Sequence, residues 1–366
     1  MIISSGAFCT AIDYLAAFGS GTNVVTFSPL GRLVRAAIQT DTAYGEYWLK
    51  PVRPLQERFA LSLKTLIDFC GELEDDLLEY QPASNAKFVG KSRQWWLDYS
   101  PVADCAIPSF NIQQTVRWDN TLSRYLTPLD TAVGETQNGI CFDCVLVDQR
   151  AQRESLVATN GQIMVAYSRR NKSKMPCPKT LLLKATDVKP FQKLCESQSP
   201  IELKLGLTKF SARCGRRFAI FDLRDGRFPR WERWYTQGKR IVLGSTAATG
   251  SASTTKDELV KACQSCVPQK SNPATNPTTT ISIASRGNGL RFSANDGPNR
   301  DQVMMHSQVT NYFGPIKVQS SYLKRIADSW PYQNIQLYYQ NASSPIVLSS
   351  PESDANLIAL IMPVVL

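Results

Sequence analysis

The sequence predicts an α+β fold made of three copies of one unit, each with two helices and a set of antiparallel strands. Three observations predict it. The first is an amphipathic helix, with apolar residues at i, i+3, i+4 and i+7, that appears once in each third of the chain. Its equivalent positions Leu63, Val188 and Leu323 lie 125 and 135 residues apart. The second is a run of three strand-like segments after each of these helices. The third is a further helix that opens each third. A recurring order of this kind marks an internally repeated architecture.

The first unit, residues 1–107, opens with a helix bearing Phe8, Ile12, Leu15 and Ala16 on one face. Its second helix starts near Ser62, with Leu63, Leu66, Ile67 and Cys70 on the apolar side, and leads into strands at Leu77–Tyr80, Lys87–Val89 and Trp95–Tyr99. The second unit, residues 108–237, begins with a helical face of Trp118, Leu122, Tyr125 and Leu126. A helix after Thr186 follows, with Val188, Phe191 and Cys195 in register, then strands at Ile201–Leu205, Lys209–Arg213 and Phe218–Leu223. The third unit, residues 238–366, repeats the order with Leu259, Ala262, Cys263 and Cys266, then Leu323, Ile326, Ala327 and Trp330 after Ser320. Its strands are expected at Asn334–Tyr339, Pro345–Leu348 and Leu357–Met362. Ser62, Thr186 and Ser320 stand where a hydroxyl can cap the free N–H groups of a helix start. Ser100–Pro108, with two prolines, separates the first two units; Gly244–Thr255, rich in Ser, Thr, Ala and Gly, reads as a flexible linker, and Ser271–Thr280 as a loop.

Composition bounds the function. With 366 residues, 43% hydrophobic and 20% charged, the chain is neither disordered, collagenous nor coiled-coil. Its longest apolar run, Leu357 to Leu366, is far short of the ~20 residues that a membrane helix needs. The N-terminus shows no basic stretch leading into an apolar core, so a cytoplasmic protein without a membrane partner is expected. Ten dilute cysteines fit reduced, buried thiols. The net charge of +10 is unevenly spread. Residues 1–107 carry 9 basic and 12 acidic groups, residues 108–237 carry 21 and 12, and residues 238–366 carry 11 and 7. A basic middle behind an acidic start suggests a polyanion touched mainly by one region, although a solubilising surface gives the same count.

Four short motifs carry a resemblance. Asp225-Gly226-Arg227-Phe228-Pro229, with Trp231 and Arg233, is one; Val157-Ala158-Thr159-Asn160-Gly161 is another. Asn288-Gly289-Leu290-Arg291-Phe292-Ser293-Ala294-Asn295 and the terminus Ile361-Met362-Pro363-Val364-Val365-Leu366 complete the set. In this order they resemble the bacterial DNA polymerase III β sliding clamp family, the processivity rings of replicative polymerases. The first unit matches only in its order of helices and strands, through Leu61–Leu73 and Lys91–Asp104. The resemblance implies a head-to-tail homodimer of three-domain chains, closed into a ring with helices inside and sheets outside. It implies a processivity factor, with duplex DNA, a polymerase and a clamp loader as partners, no cofactor and no catalysis of its own.

Three sets of residues follow from the resemblance. A ring that slides must attract phosphates without gripping base edges, which Lys and Arg on helix faces do. The candidates are Arg117 and Arg124, read as one helical face, then Lys184, Lys189, Lys193, Lys256, Lys261, Lys324 and Arg325; an ordinary solvated helix face is the plainer alternative for each. A pocket for partner peptides would be walled by Thr159, Gly161, Ile163 and Met164, by Pro229, Arg233 and Trp234, and by Ile346, Met362, Pro363, Val364 and Leu366. Ile163 and Ile346 serve equally well as core. Here the chain departs from the family: Asn160-Gly161-Gln162-Ile163-Met164 replaces an Asp-Gly-His-Arg-Leu pattern, and Val365 replaces an Arg, so a more apolar pocket is expected. Trp95 and Trp96, on opposite faces of one strand, would supply one core residue and one dimer contact, with Cys266 and Val267 across the seam.

Other motifs point elsewhere. Cys141/Cys144 and Cys263/Cys266 have the Cys-x-x-Cys spacing of zinc sites. The second pair falls on the apolar face of a helix, and the first is read as lying in a strand, where residues three apart face opposite ways, so no metal is expected. The basic run Ser168–Lys174 reads as a loop, His306 as an isolated strand residue, and Glu72–Asp76 as a helix end plus turn. Two further readings stand beside the clamp: a clamp-derived monomeric module that binds DNA or protein without closing a ring, and an enzyme such as a cysteine hydrolase or nuclease.

Overall fold

A computed structural model describes residues 1–74, 76–102, 105–118, 120–150, 153–170, 180–196, 200–244, 248–266, 280–294, 302–353 and 355–364. The chain forms two compact units, Met1–Ser123 with Leu183–Asp225, and Arg124–Leu182 with Gly226–Leu366.

The order of elements recurs three times, with one additional strand in the third round. The chain begins β1 (Ile2–Ser4), α1 (Ser5–Ala16), β2 (Val24–Leu30), β3 (Leu33–Gln39), β4 (Ala43–Leu49) and β5 (Phe59–Ser62). It continues α2 (Leu63–Gly71), β6 (Leu77–Pro82), β7 (Ala86–Val89) and β8 (Gln94–Leu97). The second round is β9 (Gln114–Trp118), a 3-10 turn (Asn120–Tyr125) with α3 (Leu126–Asp130), β10 (Cys144–Gln149), β11 (Arg153–Thr159), β12 (Ile163–Arg170) and β13 (Leu181–Lys184). It closes with α4 (Ala185–Cys195), β14 (Ile201–Leu205), β15 (Lys209–Cys214) and β16 (Arg217–Asp222). After α5 (Glu232–Val242), the third round is β17 (Gly250–Thr255), α6 (Lys256–Ser265), β18 (Thr280–Arg286), β19 (Gly289–Ala294), β20 (Gln302–His306), β21 (Gln308–Asn311) and β22 (Ile316–Gln319). It ends α7 (Ser320–Ser329), β23 (Asn334–Tyr339), β24 (Ile346–Ser349) and β25 (Leu357–Ile361).

In the first unit an antiparallel eight-stranded sheet runs β5-β2-β3-β4-β16-β15-β14-β9, beside a four-stranded sheet β1-β6-β7-β8. Period-two alternation turns Val116, Trp118, Ile201, Leu203 and Leu205 to one face, where Phe191 of α4 meets Trp118 at 5.8 Å. Phe8 of α1 stacks on Phe27 of β2 at 5.8 Å and meets Phe69 of α2 edge-on at 6.0 Å and Phe88 of β7 at 5.7 Å. The helix pair is thus held between the two sheets by aromatic contacts, each worth about 0.5–1.5 kcal/mol beyond the area buried.

In the second unit the nine-stranded sheet is β13-β10-β11-β12-β25-β24-β23-β17-β21, and the four-stranded sheet is β20-β19-β18-β22. α6 packs on α7. α5 docks on the larger sheet: Gly238 lies against Ile358, Leu360 and Val347, and the Tyr235 hydroxyl donates to the carbonyls of Ser168 (3.0 Å) and Asn356 (3.3 Å). No helix among the described residues is long and apolar enough to cross a membrane.

Several expectations change. Of the three proposed caps only Ser62 acts as one, accepting from the Thr65 N–H at 3.1 Å. Lys184 and Gln319 occupy the other two N-cap positions without a side-chain bond, Thr186 being inside α4 and Ser320 inside α7. Ile67 is 45% exposed, and Phe69 takes its place in the core. Trp118 ends a strand instead of opening a helix, and the second half of the Gly244–Thr255 linker is β17, with Ala252 and Thr254 turned inward. Cys141 precedes β10 and only Cys144 lies in it. Ser168, Arg169 and Arg170 end β12, where Arg169 pairs with Glu154; the rest of that basic run lies outside the described residues, as does nearly all of the Ser271–Thr280 loop.

Candidate functional site

The second unit contains a cavity of about 190 Å³. It is built on the β11–β12 hairpin, whose turn is fixed by its own side chains. Thr159 Oγ1 accepts from the Gly161 N–H (3.1 Å) and donates to the Ile163 carbonyl (2.6 Å). Asn160 Oδ1 accepts from the N–H groups of Gln162 (2.9 Å) and Ile163 (2.8 Å). Gly161 takes φ +89°, a conformation that side-chain-bearing residues rarely adopt. The turn therefore delivers Ile163 and Met164 to one wall in a single register.

The facing wall comes from the segment before α5. Gly226 has φ +139°, and a Cβ there would overlap Cys141 Sγ. The Cys141 N–H donates to the Arg227 carbonyl at 2.8 Å, so a glycine is needed for the strands of this turn to approach. The chain then presents Pro229, Arg230 and Trp231 to the cavity, and the first turn of α5 adds Trp234. Trp231 is 3% exposed and is held between Tyr235, at 5.7 Å, and the Arg153 guanidinium, 4.9 Å from its ring. Trp234 is 39% exposed and stands at the mouth. The third wall is β25: Leu360 lies opposite Met164, and the Met362 N–H donates to the Gln162 carbonyl at 2.8 Å. The lining is apolar with a few polar groups at its margin, Thr159, Gln162 and Arg230.

Seven of the twelve pocket expectations line this cavity: Thr159, Gly161, Ile163, Met164, Pro229, Trp234 and Met362. Arg233 is exposed and outside it, because on α5 it projects from a different side than Trp234. Ile346 is fully buried opposite Ile361 and belongs to the sheet core. Pro363 and Val364 are half-buried beyond the wall, Val364 N–H reaching the Lys317 carbonyl at 2.8 Å; Leu366 lies outside the described residues. Phe142, Gln162, Arg230, Trp231 and Leu360 line the cavity without having been expected. Two had a readable signal: Trp231 sits beside the Asp-Gly-Arg-Phe-Pro motif, and Leu360 is two residues before Met362 on one strand.

The basic residues divide by surroundings. Arg117 is on β9, opposite Glu202 of β14, and faces away from the side covered by α4. It shares no helical face with Arg124, which lies in the 3-10 turn, hydrogen-bonded to the Tyr125 hydroxyl (2.6 Å) and over the Tyr125 and Tyr332 rings. Lys184 pairs with Asp222 (3.8 Å), Lys193 with Asp13 (3.1 Å) and Glu196 (3.4 Å), and Lys324 with Asp328 (2.6 Å). The hydrogen bond from Lys193 to Asp13 raises the Lys193 pKa above its ordinary value. Lys256 donates to the Trp330 carbonyl and Arg325 to the Thr131 carbonyl. Lys189 on α4 and Lys261 on α6 are exposed.

Trp95 and Trp96 take the opposite faces expected of them. Trp95 is half-buried, edge-on to Phe69 at 5.3 Å; Trp96 is 58% exposed beneath Lys87. Cys266 is fully buried at the end of α6, which leaves it no surface to offer a second chain, and Val267 lies outside the described residues. Among the described residues no group of three or more His, Cys, Asp or Glu is placed to hold a metal. The Cys144 thiol donates to the Cys141 carbonyl at 3.6 Å within the core beside the cavity, a packing role.

No family model matches the chain, and neither does any curated protein. Solved structures do match it over its whole length. The DNA polymerase III β subunit of Pseudomonas aeruginosa is 14% identical, with TM-score 0.76 and 100% of both chains covered. That of Thermotoga maritima is 11% identical, with TM-score 0.78, covering 100% of this chain and 99% of the other. A P. aeruginosa sliding clamp bound to griselimycin is 14% identical, with TM-score 0.78 and the same coverage as the T. maritima protein. The chain has the α+β fold of the β sliding clamps.

Proposed function

We propose that this protein is a DNA sliding clamp: a head-to-tail dimer that encircles duplex DNA, holds a polymerase to it, and does no chemistry of its own. The observation that carries the proposal is the match of the entire chain, end to end, to DNA polymerase III β subunits. The thrice-repeated order of elements supports three domains, although the 237/238 boundary expected from the sequence falls inside α5 and the third round of elements opens at β17.

Ring closure is supported by the two four-stranded sheets. On one edge of each, the chain's own backbone is engaged: Ile2 of β1 with Arg53, and Lys317 of β22 with Val364. On the other edge, β8 and β20 pair with no further strand among the described residues. Exposed edges invite a further strand, and β8 carries the outward Trp96. A second copy that sets its β20 against β8, and its β8 against β20, would bury both edges.

DNA would be held by sequence-independent attraction to phosphate from the exposed lysines on the helices, Lys189 and Lys261 foremost, with no interaction that fixes a register. The cavity suits a short peptide anchored by one or two apolar side chains, with Gln162 and Arg230 to orient it. A related clamp binds griselimycin, which is consistent with such a site in this fold. Loading would fall to a separate ATP-driven clamp loader. The proposal is tested by primer extension on a singly primed circular template with cognate polymerase, loader and ATP. Products per binding event should lengthen many-fold when the protein is added; unchanged length at saturating protein would refute it.

A further inference from the structure

Nine cysteines fall among the described residues; seven are buried, and Cys9 and Cys70 are the two with partial access to solvent. They belong to different helices, α1 and α2, which pack against each other. Cys9 Sγ lies 4.0 Å from the Cys70 carbonyl oxygen, although the two residues are 61 positions apart in sequence. Each thiol lies near enough to shift the titration of the other. We propose that Cys9 and Cys70 are a redox modification site, a dithiol that closes reversibly into a disulfide joining α1 to α2.

The two thiols have unequal roles. The neighbouring Cys70 thiol pulls the Cys9 pKa down to about 7, and the Cys9 thiol, with burial, pushes Cys70 well up. Cys9 is therefore the attacking thiolate and Cys70 the resolving thiol, since the thiolate is the nucleophile in exchange. In the first step Cys9 attacks one sulfur of a small-molecule disulfide such as oxidised glutathione. That S–S bond breaks, one thiolate leaves with the electron pair, and a mixed disulfide remains on Cys9. In the second step Cys70 gives its proton to solvent and attacks Cys9 Sγ, and the second small thiolate leaves. Two protein thiols lose two electrons and two protons, and one small disulfide is reduced to two thiols.

The bridge would constrain the unfolded chain over a long loop, which favours the folded state. It would also stiffen the helix beneath β8, because Phe69, next to Cys70, is the ring on which Trp95 rests. This inference is independent of the clamp proposal.

The test is to incubate the full chain with oxidised glutathione, block the remaining thiols with an alkylating agent, and map the peptides by mass spectrometry. The wild-type protein should show a Cys9–Cys70 linked peptide, lighter by two hydrogens, that dithiothreitol reverses and that raises the melting temperature. Its rate of formation should climb with pH through about 7. C70S should stop at a glutathione adduct on Cys9, and C9S should give neither product; circular dichroism on both variants checks that they fold. A wild-type protein that stops at the Cys9 adduct, remains unmodified, or links a different pair overturns the proposal.

Discussion

Met164 on β12 stands directly opposite Leu360 on β25 in the antiparallel register, and both side chains line the cavity whose mouth Trp234 occupies. One ladder pair thus joins strands from the middle and the end of the chain into a single apolar wall. Leu360 is 4% exposed, whereas Trp234 is 39% exposed, so the two should respond differently to truncation. Leu360→Ala should cost about 2–4 kcal/mol of stability in urea unfolding. Trp234→Ala should leave stability within about 1 kcal/mol and weaken a fluorescent polymerase-derived clamp-binding peptide at least tenfold, as expected of an aromatic anchor. Anisotropy titration measures the second effect, and unchanged affinity would remove Trp234 from the site.

Gly226 should prove sensitive for a separate reason. A Cβ at this position meets Cys141 Sγ, and φ +139° strains any other residue. Gly226→Ala should destabilise by about 2–4 kcal/mol. Adding Cys141→Ala should recover part of that loss, since it removes the overlap and leaves the backbone strain. A double-mutant cycle that shows no coupling would contradict the close approach.

Much of this arrangement was legible in the sequence. Strands β14 and β23 begin and end where alternation placed them, because both faces are read in a period of two and the inward residues are all large and apolar. The cavity was legible only through the family resemblance carried by motifs at two turns, where Gly161 and Gly226 adopt positive φ. What escaped had no periodic signature. Arg117 looked helical because Trp118, Leu122, Tyr125 and Leu126 happen to fit a 3.6-residue spacing across a strand end and a 3-10 turn. Ile67 fits an apolar helix stripe yet faces solvent, since the space inward is taken by Phe69 among Phe8, Phe88 and Trp95. Phe142 reaches the cavity from an irregular segment, which carries no pattern to read.

Asp187 offers a test by pH. It is 1% exposed in the first turn of α4, with Oδ2 lacking a hydrogen-bond partner, and burial pushes its pKa up to about 6 despite nearby Lys184. The folded pKa lies above the ordinary value of about 4, so folding favours the protonated acid. The carboxylate therefore costs stability as pH rises from about 4 through about 6. Asp187→Asn should match the wild type below that window and exceed it by about 2–3 kcal/mol at pH 7–8. Parallel urea melts at several pH values measure the difference; a constant offset across the range would contradict the shifted titration.

Charge reversal separates the helix lysines from the strand arginine. Lys189→Glu with Lys261→Glu should flatten the dependence of log affinity for duplex DNA on log salt by about 0.9 for each phosphate no longer neutralised. Arg117→Glu, on the sheet face away from α4, should leave the slope unchanged. The opposite ranking would move the DNA to the sheet face that carries Arg117.

Encirclement is the central functional claim, and it is topological. Protein loaded by a compatible clamp loader with ATP onto nicked circular DNA should remain bound in salt high enough to suppress charge attraction, and should be lost when the same DNA is cut to a linear form. Equal loss from both forms, with the loader shown to be active, would contradict a closed ring, and equal retention on both would describe a protein that grips DNA instead of sliding along it.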